Sequence, residues 1–239
     1  MTQKKSRSVW IFFEFLLISS VDFQVGPVIL IVMKIHDISP LIHEKTAVFP
    51  GDTTFQRQIL MDTKAGDHLG LSWIKSTLHL GAHVDASNHY HPDGHGIAEA
   101  DLGCYIGPCQ VIQVRLPRNH RITVDRLEQR EITAPKVLFR TDSFPDPDFW
   151  NSDFNSLSPE LIDFLASKKV HLVGIDTPSV DPETSKALES HQALWKNKMS
   201  VLEGIVLTTV KEGIYQLVAL PLKIKDADAS PVRAVLIES

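Results

Sequence analysis

Residues 79–91 read HLGAHVDASNHYH, which places four histidines and an aspartate within thirteen positions. The chain has eleven histidines, and five of them, His79, His83, His89, His91 and His95, lie between positions 79 and 95. Neutral imidazole and carboxylate are the usual ligands of zinc, iron and manganese, so the chemistry this crowd suggests is metal binding. The spacing H-x-x-x-H-x-D restricts how it can be done. On a helix His79 and His83 share a face, but Asp85 points away and Gly81 weakens the helix. On a straight strand all three share a face, but His79 and His83 stand about 13 Å apart, too far for one ion. Either the chain bends near Gly81-Ala82, or the ligands serve two neighbouring ions. Asp85 suits a bridging role because a carboxylate has two oxygens to share. The competing reading is a polar loop whose histidines only form hydrogen bonds.

The elements that must position these residues are mainly strands. Short apolar, β-branched runs at Val111–Leu116, Lys136–Arg140, Val170–Ile175, Ile205–Val210, Gly213–Leu220 and Val232–Ile237 have strand length and are bounded by turn or charged residues. One helix begins at Ser158-Pro159-Glu160, with a serine cap, proline at the first helical position and Leu161, Ile162, Phe164 and Leu165 following. A second is expected over Thr184–Leu194. This pattern predicts a mixed α/β domain with a substantial sheet rather than a regularly alternating doubly wound fold.

The totals exclude several partners. A chain of 239 residues can bury a full core without disulfides, and Cys104 and Cys109 read as buried thiols in a reducing compartment. The formal net charge is −5, with both signs interspersed, which argues against nucleic acid or an anionic membrane as partner. Residues 1–32 are atypical. Their basic start and apolar stretch outline a signal or anchor, but Glu14 interrupts the stretch and it is too broken for a membrane span. A start at Met33 or a genuine extension are the other readings, and residues 33–239 are the expected domain.

The stretch STLHLGAHVDASNHY resembles the H-x-G-T-H-x-D-A-P-x-H-F signature of the metal-dependent cyclase family, and within it the bacterial kynurenine formamidase branch. HDISPLIHEKTAVFPGDTTF, RTDSF at 140–144, VGIDTPSVDP at 173–182 and ALPLKIKDADASPVRAVL at 219–236 resemble the same branch, in order, from Met33 to the end of the chain. The resemblance implies a swivelling β/β/α-like single domain with a mixed sheet. It also implies metal ligands at His79, His83, Asp85, His191 and Glu203, and a centre of two divalent ions, zinc first and manganese as the alternative. His89 falls on the family's general acid and base, and Phe49 on its substrate-binding aromatic. A homodimer or larger homo-oligomer in the cytoplasm is implied as well. His91 and His95 have no counterpart and read as solvated loop residues. Three positions depart from the pattern: Ser87 for proline, Ala82 for threonine and Phe49 for tryptophan. The first two could loosen the ligand loop, and the third could reshape the substrate pocket.

Competing chemistries lack their motifs. There is no G-x-S-x-G nucleophile elbow and no Walker-type phosphate loop, and the zinc-deaminase pattern fails because Ile112 stands where its second cysteine belongs. Water must then be the nucleophile, and a divalent ion makes it acidic enough. The resemblance implies hydrolysis of an N-formyl arylamine, with His89 delivering a proton to the departing aniline nitrogen and formate and kynurenine as products of tryptophan breakdown. The alternatives are hydrolysis of a cyclic imide or isatin-like ring by the same ligands, and a metal-binding protein without catalysis. Asp176 and Asp181 read as turn or capping residues, and Asp52 as a turn residue or one that shapes the pocket. Phe49 and Trp73 read as core by default, with stacking on an aryl substrate as the alternative, and Arg233 as a partner for an internal acid or a substrate carboxylate.

Overall fold

The computed structural model describes residues 9–12 and 32–238. In chain order the strands are β1 (Val9–Phe12), β2 (Val32–Asp37), β3 (Gln56–Met61), β4 (Leu71–Lys75), β5 (His83–Asp85), β6 (Ile106–Gln113) and β7 (Arg121–Ile122). They continue with β8 (Lys136–Arg140), β9 (Ser156–Leu157), β10 (Leu172–Ile175), β11 (Ser200–Glu203), β12 (Gly213–Val218), β13 (Ala229–Pro231) and β14 (Val235–Glu238). The helices are α1 (Pro159–Ser167) and α2 (Glu189–Asn197).

Ten strands form one mixed sheet in the order β1-β2-β14-β12-β6-β8-β10-β11-β5-β13. Its centre, β6-β8-β10-β11, is parallel, and its flanks are antiparallel. Central strands buried on both faces need apolar residues at successive positions, and the runs around KVLF and LVGI supply them. Alternation then separates two cores. Val111, Leu138, Leu172 and Leu202 face one side with Ile38, Val84 and Leu217. Ile112, Val137, Phe139, Val173 and Val201 face the other, under α1 and α2. Helix α1 starts as its sequence dictates: Ser158 Oγ accepts from Leu161 N at 3.1 Å, Pro159 opens the first turn, and Leu161, Ile162 and Leu165 are buried.

Two expectations are corrected. Ile205–Val210 is not a strand; β11 precedes it and ends at Glu203, and Gly204, with a φ of +64°, turns the chain. Ile205 and Leu207 are buried two positions apart, which imitates a strand in sequence, but the next buried residue, Val210, breaks the alternation, and the backbone contact to Ile38 is a single bond from Val206 N at 2.8 Å. The second helix begins at Glu189 rather than Thr184, because Leu188 takes a φ of +49° and the preceding residues form turns. Of the atypical N-terminal segment, residues 9–12 form an edge strand on β2, and residues 1–8 and 13–31 lie outside the described residues. Among the described residues no helix is long and apolar enough to cross a membrane.

The sheet's register positions the candidate site. β5 lies between β11 and β13, with His83 opposite Glu203 and Asp85 opposite Ala229.

Candidate metal centre

The bend required by the ligand spacing is at Gly81, which has a φ of +57°, a conformation that favours glycine. It brings the rings of His79 and His83 to 5.1 Å between centroids. Gly204, just after Glu203, packs against this turn so closely that a Cβ there would lie 2.1 Å from the Gly81 carbonyl oxygen. The two glycines therefore let the end of β11 meet the start of β5. Glu203 reaches His83 in this way, its Oε2 lying 3.3 Å from His83 Nε2.

Three potential ligand groups form among the described residues, His79–His83–Asp85, Asp85–His191–Glu203 and His79–His89–Asp228, each with donor atoms within 4.8 Å of one another. The first two share Asp85. One of its oxygens lies 3.0 Å from His79 Nδ1, the other 3.3 Å from His191 Nε2. Despite these short distances, His83 Nε2, His191 Nε2 and both Asp85 oxygens are buried without a hydrogen-bond partner. Each such atom ordinarily costs about 1–3 kcal/mol, and more where it is charged. Four of them in two adjoining donor groups fit cations that would ligate them.

The other nitrogen of each histidine is anchored from outside. His83 Nδ1 donates to the Gly81 carbonyl at 2.9 Å, which leaves its Nε2 lone pair pointing inward. His191 Nδ1 meets Asp181 Oδ2 at 2.8 Å, and His79 Nε2 meets Asp228 Oδ2 at 3.0 Å. Such partners fix ring orientation and raise ligand basicity. Asp181 is fully buried and also accepts from the amides of Ser190 and His191, at the start of α2, and from Arg121.

The electrostatics follow from this crowd of carboxylates. Burial pulls His79 and His191 down, but Asp85 and Asp228 around the first, and Asp181 and Asp85 around the second, outweigh it. The two are raised to about 9 and about 10. Burial pushes Asp85 up, but its contacts with His191 and His79 hold it well below the usual carboxylate range. The centre thus carries surplus negative charge, balanced by protons in the ion-free protein and by a cation otherwise.

His89 ends a short 3₁₀ turn over Ser87–His89, with its ring 4.2 Å from that of His79. Burial holds it below its ordinary pKa, so it is neutral near pH 7. His79, His83, His89, His191 and Glu203 line a cavity of 380 Å³. Its far wall is aromatic: Phe49 meets Trp150 edge-on at 5.2 Å, and Phe144 meets Trp150 at 5.7 Å. Trp150 is held by a 2.7 Å bond from its Nε1 to Glu183.

Other residues noted in the sequence lie elsewhere. His91 stacks on Trp195 at 4.2 Å, and His95 is exposed on its loop. Trp73 is an exposed hairpin residue rather than core. Arg233 pairs with Asp37 at the surface. Asp176 is buried and accepts from the amides of Thr141 and Asp142. Asp52 lines the cavity and accepts from Thr77 Oγ1 at 2.7 Å. Cys109 is buried and pushed up to about 12 by that burial, but Cys104 is only half-buried, against the expectation that both thiols are buried.

The family model described as "Putative cyclase" matches residues 36–182, more than half of the chain. The chain belongs to the cyclase family. This cyclase-family chain is 40% identical over 211 residues to a kynurenine formamidase from Bordetella petrii, covering 86% of this chain and 98% of that one. It superposes with a TM-score of 0.76 on a "potential metal-dependent hydrolase with cyclase activity", at 27% identity over 87% of this chain and 98% of that one. An isatin hydrolase bound to thioisatinate shares the fold, with a TM-score of 0.74 at 21% identity over 86% and 93% of the two chains. The mixed-sheet α/β domain is thus the cyclase-family fold, and the protein is an enzyme of the hydrolase class.

Sequence reasoning missed Asp181, Asp228, Trp150 and Gly204. Asp181 had the character of a turn and cap, which is half of what it does. Asp228 is separated from His79 by 149 positions, and only the pairing of β13 with β5 brings them together.

Proposed function

We propose that this cyclase-family enzyme hydrolyses N-formyl-L-kynurenine to kynurenine and formate. The observation that carries this reading is a shared-carboxylate ligand cluster opening, beside His89, into a cavity with an aromatic wall. His79, His83, Asp85 and Glu203 would hold one divalent ion, and Asp85, His191 and Glu203 a second. Zinc suits these borderline nitrogen and oxygen donors, with manganese as the alternative. When bound, the ions supply Lewis acidity and make water nucleophilic at neutral pH.

The chain's own residues do the rest. Phe49, Phe144 and Trp150 orient the aryl ring against the wall, so that the formyl group faces the ligand cluster. Water adds to the formyl carbon, the C–N bond breaks, and formate departs. His89 takes a proton from the attacking water and delivers it from its imidazole to the aniline nitrogen, which leaves poorly as an anion. Acid–base help of this kind gives about 10²–10⁴ in rate. His89→Ala should therefore keep its metal and lose about that factor in kcat, measured by the absorbance change from N-formylkynurenine to kynurenine. Wild-type turnover in that variant refutes the role, and turnover of isatin in place of the formyl anilide replaces the substrate.

The hairpin β3–β4 supports a homodimer as the working form. Ile59, Leu60, Leu71, Trp73 and Ile74 are all exposed on it. A two-stranded hairpin is marginal alone, and apolar side chains on both of its faces suit burial against a second copy.

A further inference from the structure

Asp228 stands outside the two ligand groups that share Asp85 and lines no part of the described cavity, yet one of its oxygens addresses two residues of the site. Its Oδ2 lies 3.0 Å from His79 Nε2 and 3.8 Å from His89 Nδ1. With His79 and His89 it places donor atoms within 4.8 Å of one another. The loop holding it is clamped to the segment that carries His89. Ala86 N donates to the Asp228 carbonyl at 2.8 Å, Ile97 N to that of Ala227 at 2.9 Å, and Asn88 Nδ2 to that of Asp226 at 3.3 Å. Gly96 lies so close that a Cβ on it would come within 2.8 Å of Asp226 Cα. The carboxylate is thus fixed relative to His89 by backbone, and relative to His79 by a direct bond.

We propose that Asp228 is a positioning residue that sets the ring orientation of His79 and the tautomer of His89 through one carboxylate oxygen. The His89 half rests on the acid–base role proposed above, and the His79 half does not. By accepting from His79 Nε2, Asp228 leaves Nδ1 facing Asp85. At 3.8 Å its contact with His89 is longer than a hydrogen bond, but such contacts tighten when the site is filled. Closing it puts the proton on Nδ1 and leaves Nε2 as the nitrogen that exchanges protons with substrate, the logic by which a carboxylate orients a catalytic base. Because Asp228 is half exposed, its ion pairs add little to stability, so its effect must lie in geometry.

The test compares Asp228→Ala, Asp228→Asn and Asp228→Glu in the full chain. Zinc affinity, measured against a chromophoric chelator, should fall about 10–100-fold in D228A. In D228N, which keeps an oxygen for His79, it should stay within about threefold of wild type. The His89 tautomer, read by ¹⁵N–¹H correlation in the zinc-loaded protein, should be Nδ1–H in wild type and in D228N, whose amide oxygen accepts in the same place, and should lose that preference in D228A. At saturating zinc D228A should lose kcat for N-formylkynurenine at least about tenfold with little change in KM, and D228E should recover part of it. Unchanged zinc affinity in D228A overturns the His79 half. An unchanged His89 tautomer, or unchanged kcat in an active wild type, overturns the His89 half. A wild-type enzyme inert toward N-formylkynurenine counts against the substrate, while the affinity and tautomer measurements still decide the role of Asp228.

Discussion

Adding zinc to the ion-free enzyme should release protons, and their number is set by the carboxylates around two histidines. His79 and His191 are raised to about 9 and about 10. At pH 7.5 they are therefore about 97% and more than about 99% protonated. Each must lose its proton to bind through the nitrogen that faces the centre, so at least about two protons should leave per chain. Two histidines with ordinary values near 6.5 would together release only about 0.2 at that pH, a tenfold difference that decides the matter. The assay is isothermal titration of zinc in three buffers of different ionisation enthalpy, with the slope of heat against that enthalpy giving the proton count. The logarithm of the affinity should also rise by about two per pH unit between pH 6.5 and 8.5. The same shifts govern the ion-free fold. A histidine whose folded value is raised stabilises fully below its unfolded value near 6.5, and that contribution is lost as pH rises through about 9 and then about 10. The melting temperature of the ion-free protein should accordingly fall between about pH 6.5 and about pH 10 and level off above that, and zinc should remove the fall. A proton count below about 0.5 refutes the placement of these histidines between paired carboxylates.

Asp181→Ala should weaken zinc binding about 10–100-fold in a chelator competition, since it removes the carboxylate that holds His191 Nδ1. It should also cost about 1.5–3 kcal/mol by thermal denaturation, because charge-assisted bonds from Arg121 and α2 are lost. Gly204→Ala has no room and the wrong φ, so it should lower the melting temperature by roughly 6 °C or more, while Gly66→Ala, which meets nothing within 4 Å, should lower it less. Ile74→Asp on the exposed hairpin should shift the mass seen by light scattering to that of a monomer with the ligand cluster intact.

What the sequence revealed depended on how locally each feature is determined. Helix α1 was legible residue by residue because capping and first-turn chemistry lie within four positions of Ser158. The buried parallel strands were legible as apolar runs. The first half of the ligand cluster was legible too, since Gly81 and the seven residues His79–Asp85 contain both the donors and the bend. The second half was not derivable from spacing: His191 and Glu203 reach Asp85 only through the crossing of β11 beside β5. The false strand at Ile205–Val210 shows the opposite error. Its alternation reports burial, and burial without a ladder partner has the same sequence signature. Asp181 and Asp228 were invisible for a related reason. An anchoring carboxylate is chosen by where a ring nitrogen points, and no local pattern encodes that.

The three departures from the family signature show how this chain keeps a rigid site with different residues. Ser87 lacks the stiffness of proline, but its Oγ accepts from His95 N at 2.8 Å, and Asn88 N donates to the His95 carbonyl. Gly94 packs on the Ser87 peptide with no room for a Cβ, so the loop that carries His89 is closed on itself. Ala82 is buried, and its carbonyl accepts from Val232 N at 2.9 Å, which ties the ligand turn to the strand after Asp228. Phe49 is smaller than tryptophan, but Trp150 stands against it and restores a large aromatic surface from a different part of the chain. Ser87 is held by its own loop, Ala82 by its backbone, and Phe49 by an aromatic neighbour from another part of the chain. That makes the orientation of His89 and the shape of the aryl wall depend on loops 86–97, 144–150 and 224–228 staying docked, so substitutions there should change turnover before they change the fold.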